Sequence, residues 1–248
     1  MVEGAVAPPA GRPRALLFDV FGTCVDWRSG VIAAGTALAA RRGLSGIDWP
    51  ALADAWRAEY QPRMEPVRQG VRPWTDLDTL HREGLDHVLA ELGAAGLSDG
   101  DRAELTLAWH RLDPWPDAVE GLRRLRADHV VAPCSNGHIA LIVALSRHGG
   151  LVWDAVLGAE LARMYKPHPD VYLRSVAALG LEPPEVMMVA AHNGDLAAAA
   201  RCGLRTAFVP RPTEHGSGQT TDLHAGADVD VVAADLMELA DRLSATGA

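Results

Sequence analysis

The chain predicts an α/β fold: a doubly wound parallel sheet with a helical segment inserted after the first strand. Three observations carry this. The apolar run Ala15-Leu16-Leu17-Phe18 ends on Asp19, with Gly22 and Thr23 close behind, the pattern of a buried parallel strand running into a loop. From Ala118 onward, short apolar runs alternate with helical stretches, which implies a mostly parallel sheet covered on both faces. Between these parts, residues 28–112 are helical in pattern and hold no convincing strand.

The elements follow in order. Val31 to Arg42 is Ala-rich and stops at Gly43, a natural helix end. Asp48 caps a helix with Pro50 in its first turn, and Leu52, Trp56 and Tyr60 share one face of it. Thr79 to Leu92 and Glu104 to Leu112 continue the helical pattern, and Leu112 to Asp117, with Pro114 and Pro116, reads as a hinge. Strands are expected at Val130–Ala132, Ala155–Leu157, Val186–Ala190, Thr206–Val209 and Val229–Val232. Pro133 is expected at a strand's end, because proline fits badly inside a central strand. Helices are expected at 118–127, 139–147, 170–179, 195–202 and 236–243, and the polar, Gly-rich residues 211–227 read as a surface loop.

With 248 residues, 48% hydrophobic and 22% charged, the chain is ordinary for a globular protein with a buried core. A net charge of −9 argues against nucleic acid as partner, and no apolar run reaches the length of a membrane span. Met1 to Pro13 lacks the basic start and apolar stretch of a signal peptide and reads as a loose tail. Cys24, Cys134 and Cys202 show no metal-type spacing. Their odd number fits a reducing, cytoplasmic setting and small buried fillers.

The residues that can carry chemistry sit where strands end. Ligands of open α/β sheets bind beyond the carboxyl ends of the strands, and Asp19, Ser135-Asn136-Gly137, Lys166-Pro167 and Asp195 each follow an apolar run. Asp19 alone is as well explained as a turn residue. Ser135 and Asn136, near a helix start, offer groups suited to an anion. Lys166 would keep a neighbouring carboxylate ionised, with a surface salt bridge as the ordinary alternative.

An Asp, a Ser-Asn, a Lys-Pro and a second Asp in this order resemble the haloacid dehalogenase-like superfamily over nearly the whole chain. Asp19-Val20-Phe21-Gly22-Thr23, Trp56-Arg57, Ser135-Asn136-Gly137, Tyr165-Lys166-Pro167 and Val171-Tyr172 together look like its L-2-haloacid dehalogenase branch. The resemblance implies a Rossmann-like core of residues 13–27 and 113–248 and a helical cap of residues 28–112. It implies Asp19 as nucleophile, displacing halide from C2 of a 2-haloacid to form an ester that water hydrolyses to a D-2-hydroxy acid. Arg57 and Asn136 would receive the halide. Backbone amides after Asp19, with Ser135 and Lys166, would hold the substrate carboxylate; Thr23 lies beside Asp19, and Tyr172 lines the pocket. Asp195 would hold Lys166.

Phe21 separates the branches. Phosphatases of the superfamily carry a second Asp there as general acid, and extra carboxylates near Asp195 for Mg²⁺, which prefers oxygen ligands. A halide leaves without a proton, so neither a metal nor another cofactor is implied. Where better-known relatives have Ser-Ser-Asn, this chain has Ala190-Ala191-His192, so the serine roles do not carry over. His192 becomes a candidate base for the hydrolytic water, with Asp26 expected to orient it; the Lys166 and Asp195 group is the alternative activator. The rival readings are a phosphatase or phosphonatase-like hydrolase of the same superfamily and a non-catalytic binding protein of the same fold. Relatives are often homodimers, and Trp74 and Trp109 are candidates for such an interface or for a buried cap core.

Overall fold

The computed structural model describes residues 11–94 and 96–245; most of the tail expected at Met1–Pro13 lies outside them. The apolar run before Asp19 forms β1 (Ala15–Phe18), fully buried. After it come the helices α1 (Trp27–Arg42), α2 (Trp49–Ala58), α3 (Tyr60–Arg68), α4 (Leu77–Glu91) and α5 (Asp99–Thr106), then a 3-10 turn at Leu107–His110. The remaining chain alternates: α6 (Ala118–Leu125), β2 (Val130–Ser135), α7 (Ile139–Gly149), β3 (Leu157–Gly158), α8 (Ala159–Ala162), α9 (Pro169–Ala178), a 3-10 turn at Pro183–Glu185, β4 (Val186–Ala190), α10 (Asn193–Arg201), β5 (Arg205–Phe208), β6 (Val231–Val232) and α11 (Leu236–Ala245). The strands form one sheet in the order β3-β2-β1-β4-β5-β6, every pairing parallel.

β1 is central, with Leu17 level with Ala132 on one side and Met188 on the other. Its side chains alternate between the faces, as the pleat requires. Leu16 and Phe18 join the core shared with α6, α7, α11 and the helical insertion, while Ala15 and Leu17 join that of α9 and α10. Pro133 departs from expectation, lying within β2 opposite Phe18. On its other side β3 pairs only with Cys134 and Ser135, so Pro133 stands where β2 has not yet gained its second neighbour.

The insertion is organised by its caps. Asp26, Asp48 and Asp76 each accept a hydrogen bond from a first-turn amide, and Gly43 ends α1 in the left-handed conformation, φ 65°. The helix expected to run through Tyr60 divides at Glu59, because Pro62 has no N–H to give Ala58. Leu52, Trp56 and Tyr60 are nevertheless all buried. The helix expected at Glu104–Leu112 starts earlier, at a capping box between Ser98 and Asp101, and tightens to 3-10 after Thr106. Trp109 is the centre of this block. Its ring stacks 4.3 Å from His81 and 6.0 Å from Trp27 and meets Trp56 and Phe21 edge-on at 5.5 and 5.8 Å. Trp109 is thus core and unavailable to an interface. Trp74, half-buried, packs on Tyr165.

The two crossings between insertion and sheet pair with each other. Asp26 N donates to Asp113 O and Trp115 N to Cys24 O, both at 3.0 Å. The stretch from Arg211, expected at the surface, turns inward. Arg211 gives both oxygens of Asp117 a hydrogen bond at 2.7 and 2.8 Å and Thr23 O a third at 2.9 Å. Among the described residues no helix is long and apolar enough to cross a membrane.

Arg211 therefore ties three segments together below the site. Arg211→Met removes the guanidinium and leaves Asp117 without its buried partner, so urea unfolding should show a loss of about 3–5 kcal/mol. A midpoint equal to wild type would contradict this role.

Candidate active site

Asp19 follows the central strand, where the sheet opens. Its amide donates to Val189 O, which fixes the backbone across β4. Its carboxylate is held from two sides. Lys166 Nζ donates to Oδ1 at 2.9 Å; Thr23 Oγ1 donates to Oδ2 at 2.8 Å, and His192 Nδ1 lies 3.0 Å from the same oxygen. Thr23 Oγ1 also accepts from Ala191 N at 2.9 Å, linking the Asp19 turn to the end of β4. Lys166 Nζ sits between two carboxylates, reaching Asp195 Oδ2 at 2.5 Å, and Tyr172 OH donates to Asp195 Oδ1 at 2.5 Å.

His192 bridges Asp19 and a residue the sequence reading missed, Glu214, whose Oε2 lies 2.9 Å from Nε2. A ring that donates to two carboxylates must carry both protons. Its pKa agrees: burial pulls it down, but the hydrogen bonds and charges of Asp19 and Glu214 outweigh burial and raise it to about 10. Burial would raise Asp19, yet the charge of Lys166 and the bond from His192 hold it far below the usual carboxylate range. Lys166, pulled down by burial, is held well above its ordinary value by Asp19 and Asp195. Burial pushes Asp195 up against the pull of Lys166. Three buried carboxylates thus face two buried cations.

Glu214 is 1% exposed and takes a second bond from Trp27 Nε1 at 2.9 Å. Its sequence signal lies far away, at Gly22. That residue has φ 84°, and a Cβ there would stand 2.1 Å from Glu214 Oε1, so only glycine lets the carboxylate reach His192. Asp26 was expected in this role. Its side chain instead caps α1 through Ser29 N, and it touches neither ring nitrogen of His192.

A cavity of about 400 Å³ opens over Asp19, the size of a small-ligand pocket. Of the expected residues it brings together Asp19, Phe21, Arg57, Asn136, Lys166, Tyr172, His192 and Asp195; Tyr60 and Gln61 line it as well. Arg57 reaches in from α2, its guanidinium 4.1 Å from the ring centre of Tyr60 and 5.2 Å from that of Trp27. Its Nη1 is buried and makes no hydrogen bond among the described residues. Asn136 Oδ1 accepts from Lys166 N at 2.8 Å, locking two strand-end loops together. Thr23 and Ser135 stand behind the cavity wall. Ser135 Oγ accepts from Gly137 N at 3.0 Å and so shapes the loop, and Gly22 N is committed to Val25 O. Cys24 and Cys134 are fully buried, and burial raises both thiols, Cys134 to about 12, which makes them inert fillers.

The arrangement can do one thing well. It presents an ionised, buried carboxylate to a small cavity that the Arg57 side chain also lines.

Comparison with known proteins agrees with this chemistry. The family model of haloacid dehalogenase-like hydrolases matches residues 13–203. The chain is 32% identical to (S)-2-haloacid dehalogenase of Xanthobacter autotrophicus over 80% of its own length and 75% of that enzyme's. It superimposes on the crystal structure of the defluorinating L-2-haloacid dehalogenase Rha0230 with a TM-score of 0.90 and 47% identity, covering 94% of this chain and 95% of that one. The Xanthobacter autotrophicus enzyme with chloropropionic acid covalently bound gives a TM-score of 0.78 at 26% identity, covering 95% and 100%. With family model, sequence and fold all matched, the chain belongs to the haloacid dehalogenase-like hydrolases, in their L-2-haloacid dehalogenase branch.

Proposed function

We propose that the protein hydrolyses 2-haloalkanoic acids, converting an L-2-haloacid into halide and a D-2-hydroxy acid through an ester on Asp19. The observation that carries this is the Asp19 carboxylate, buried and held ionised by Lys166 and His192 in a cavity that Arg57 also lines. An ionised carboxylate fixed in a cavity beside its substrate is a competent nucleophile toward carbon. Asp19 attacks C2 from behind, the C–O bond forms as the C–halogen bond breaks, and the halide departs with the electron pair toward Arg57 and Asn136. Attack from behind inverts C2. Lys166 supplies positive charge for the substrate carboxylate while holding Asp19 in place. The matched enzyme with chloropropionic acid covalently bound supports an intermediate of this kind, and the defluorinating relative extends the candidate halides to fluoride.

The first step prepares the second. At rest His192 is cationic because Asp19 and Glu214 are charged. Esterification removes the charge of Asp19, burial then pulls His192 down with only Glu214 opposing it, and the imidazolium releases its Nδ1 proton to solvent. Neutral His192 takes a proton from water as that water attacks the Asp19 carbonyl, the departing alkoxide takes this proton from the ring, and the new Asp19 carboxyl group passes its remaining proton to His192, which restores the resting ion pair. Glu214 keeps the ring oriented. Phe21, packed on Trp109 at the cavity wall, has no proton to give a phosphate leaving group, which weighs against a phosphatase.

Purified protein given L-2-chloropropionate should release chloride and D-lactate in equal amounts, and in the presence of excess EDTA. Asp19→Asn, an isosteric change to a poor nucleophile, should abolish release while the circular dichroism spectrum stays wild-type. Chloride released by the variant at the wild-type rate would exclude Asp19 as nucleophile.

His192→Ala should separate the steps. Halide should appear in a burst of about one per site, and ester hydrolysis should slow by ~10²–10⁴-fold, visible as a persistent mass increase on the intact protein. In the wild type, single-turnover halide release should be flat from about pH 6 to about pH 9, since Asp19 titrates far below this range and the resting His192 above it. Ester hydrolysis should rise with pH as the imidazolium of the ester state loses its proton. Wild-type hydrolysis in His192→Ala would move the base to another group.

A further inference from the structure

Away from the catalytic cavity, a second group of ligand-type side chains meets where the helical insertion faces the sheet. Asp78 comes from the first turn of α4, His110 from the end of the 3-10 turn, and His138 immediately precedes α7. One donor atom from each lies within 4.8 Å of the other two. Asp78 Oδ1 is 2.7 Å from His110 Nε2, and Asp78 Oδ2 is 3.6 Å from His138 Nε2. The two imidazoles, 6.0 Å apart between centres and inclined at 67°, are turned edge to face, so they do not stack.

Hydrogen bonding accounts for only part of this cluster. His110 and Asp78 form a good pair. His138 does not: it is about nine-tenths buried, its Nδ1 is enclosed without a partner, and 3.6 Å is too long for a hydrogen bond from Nε2. Nε2, the nitrogen facing Asp78, therefore has no hydrogen bond among the described residues and its lone pair can ligate an ion; the enclosed Nδ1 lies on the other side of the ring and is not part of the site. Neighbouring Asp76 does not bond the ring, because its carboxylate caps α4 through Thr79 N.

The spacing suits a metal ion. Bonds of ~2.0–2.1 Å in a tetrahedron place adjacent ligand atoms roughly 3.3 Å apart. The His138–Asp78 separation is already near that value, and the His110–Asp78 separation would lengthen by roughly half an ångström. Two imidazoles and one carboxylate select a zinc-type ion over Mg²⁺ or Ca²⁺, which take oxygen. Asp78 is about one-third exposed at its side chain, so an ion can enter from solvent and keep water at its fourth position.

We propose that Asp78, His110 and His138 form a binding site for one divalent ion of the zinc class, which clamps the helical insertion against the loop carrying Asn136. Two of its ligands lie on the insertion and the third is two residues beyond Asn136, so the ion would sit beside the catalytic loop without lining the catalytic cavity.

Chelator-treated protein titrated with Zn²⁺ in a calorimeter should bind one ion per chain and melt at a higher temperature once loaded. Co²⁺ in its place should give the visible absorption bands of a four-coordinate ion. Asp78→Asn, which keeps the side-chain shape, and His110→Ala should each weaken binding by more than ~10-fold and abolish the melting shift. His138 is buried and its removal risks misfolding, so the two more accessible ligands carry the test, with circular dichroism confirming that each variant is folded. Absence of Zn²⁺ binding by wild-type protein, or one-to-one binding retained in both folded variants, would overturn the proposal.

Discussion

The carboxylate of Asp19, buried between Lys166 and His192, is the constraint on which the rest of the site depends. A buried carboxylate cannot stay ionised alone. Here Asp19, Asp195 and Glu214 are opposed by Lys166 and the cationic His192, and Arg57 brings the third positive charge. The cluster is close to neutral when every group is charged, and each group has its charge stabilised by the next. Withdrawing one charge leaves its neighbour buried and unpaired, a loss of several kcal/mol. Reactivity follows from the same balance. Forming an ester withdraws the charge of Asp19 by chemistry, and His192 is the group left with less reason to remain protonated.

The fold serves to bring these charges to one place. Parallel strands end on the same edge of the sheet, so the residues after β1, β2 and β4 meet there although they are far apart in the chain. Thr23 to Ala191 and Asn136 to Lys166 are side-chain bonds that lock those loops to one another. Arg211 draws in the stretch after β5, placing Glu214 behind His192. The insertion adds what the sheet cannot, a wall of aromatic rings with Arg57 lying over Tyr60 at the edge of the cavity. Phe21, against Trp109, joins that wall to the nucleophile's own turn.

Much of this was legible in the chain because it is local. Alternating apolar runs disclose the sheet, a carboxylate closing the first run marks its open edge, and Asp48 with Pro50 marks a helix start. What was not legible depends on contacts between distant segments. Glu214 lies in a polar, glycine-rich stretch that resembles any surface loop, and its burial is decided by Arg211 reaching Asp117, nearly a hundred positions earlier. Asp26 has the composition of an orienting residue but is spent on the first turn of α1. Tyr60 read only as part of an apolar face, yet its ring lies under the Arg57 guanidinium and lines the cavity. Pro133 is tolerated inside β2 because its neighbour β3 is only two residues long.

The most direct test of the ester on Asp19 is a single turnover in ¹⁸O-water with enzyme in excess over L-2-chloropropionate. Attack by the carboxylate delivers an oxygen of Asp19 to the product and replaces it from solvent. The peptide containing Asp19 should therefore gain ¹⁸O, and the hydroxyl of the released lactate should remain ¹⁶O. Labelled lactate with an unlabelled Asp19 peptide would mean that water attacks the substrate directly, and would contradict the role given to the carboxylate.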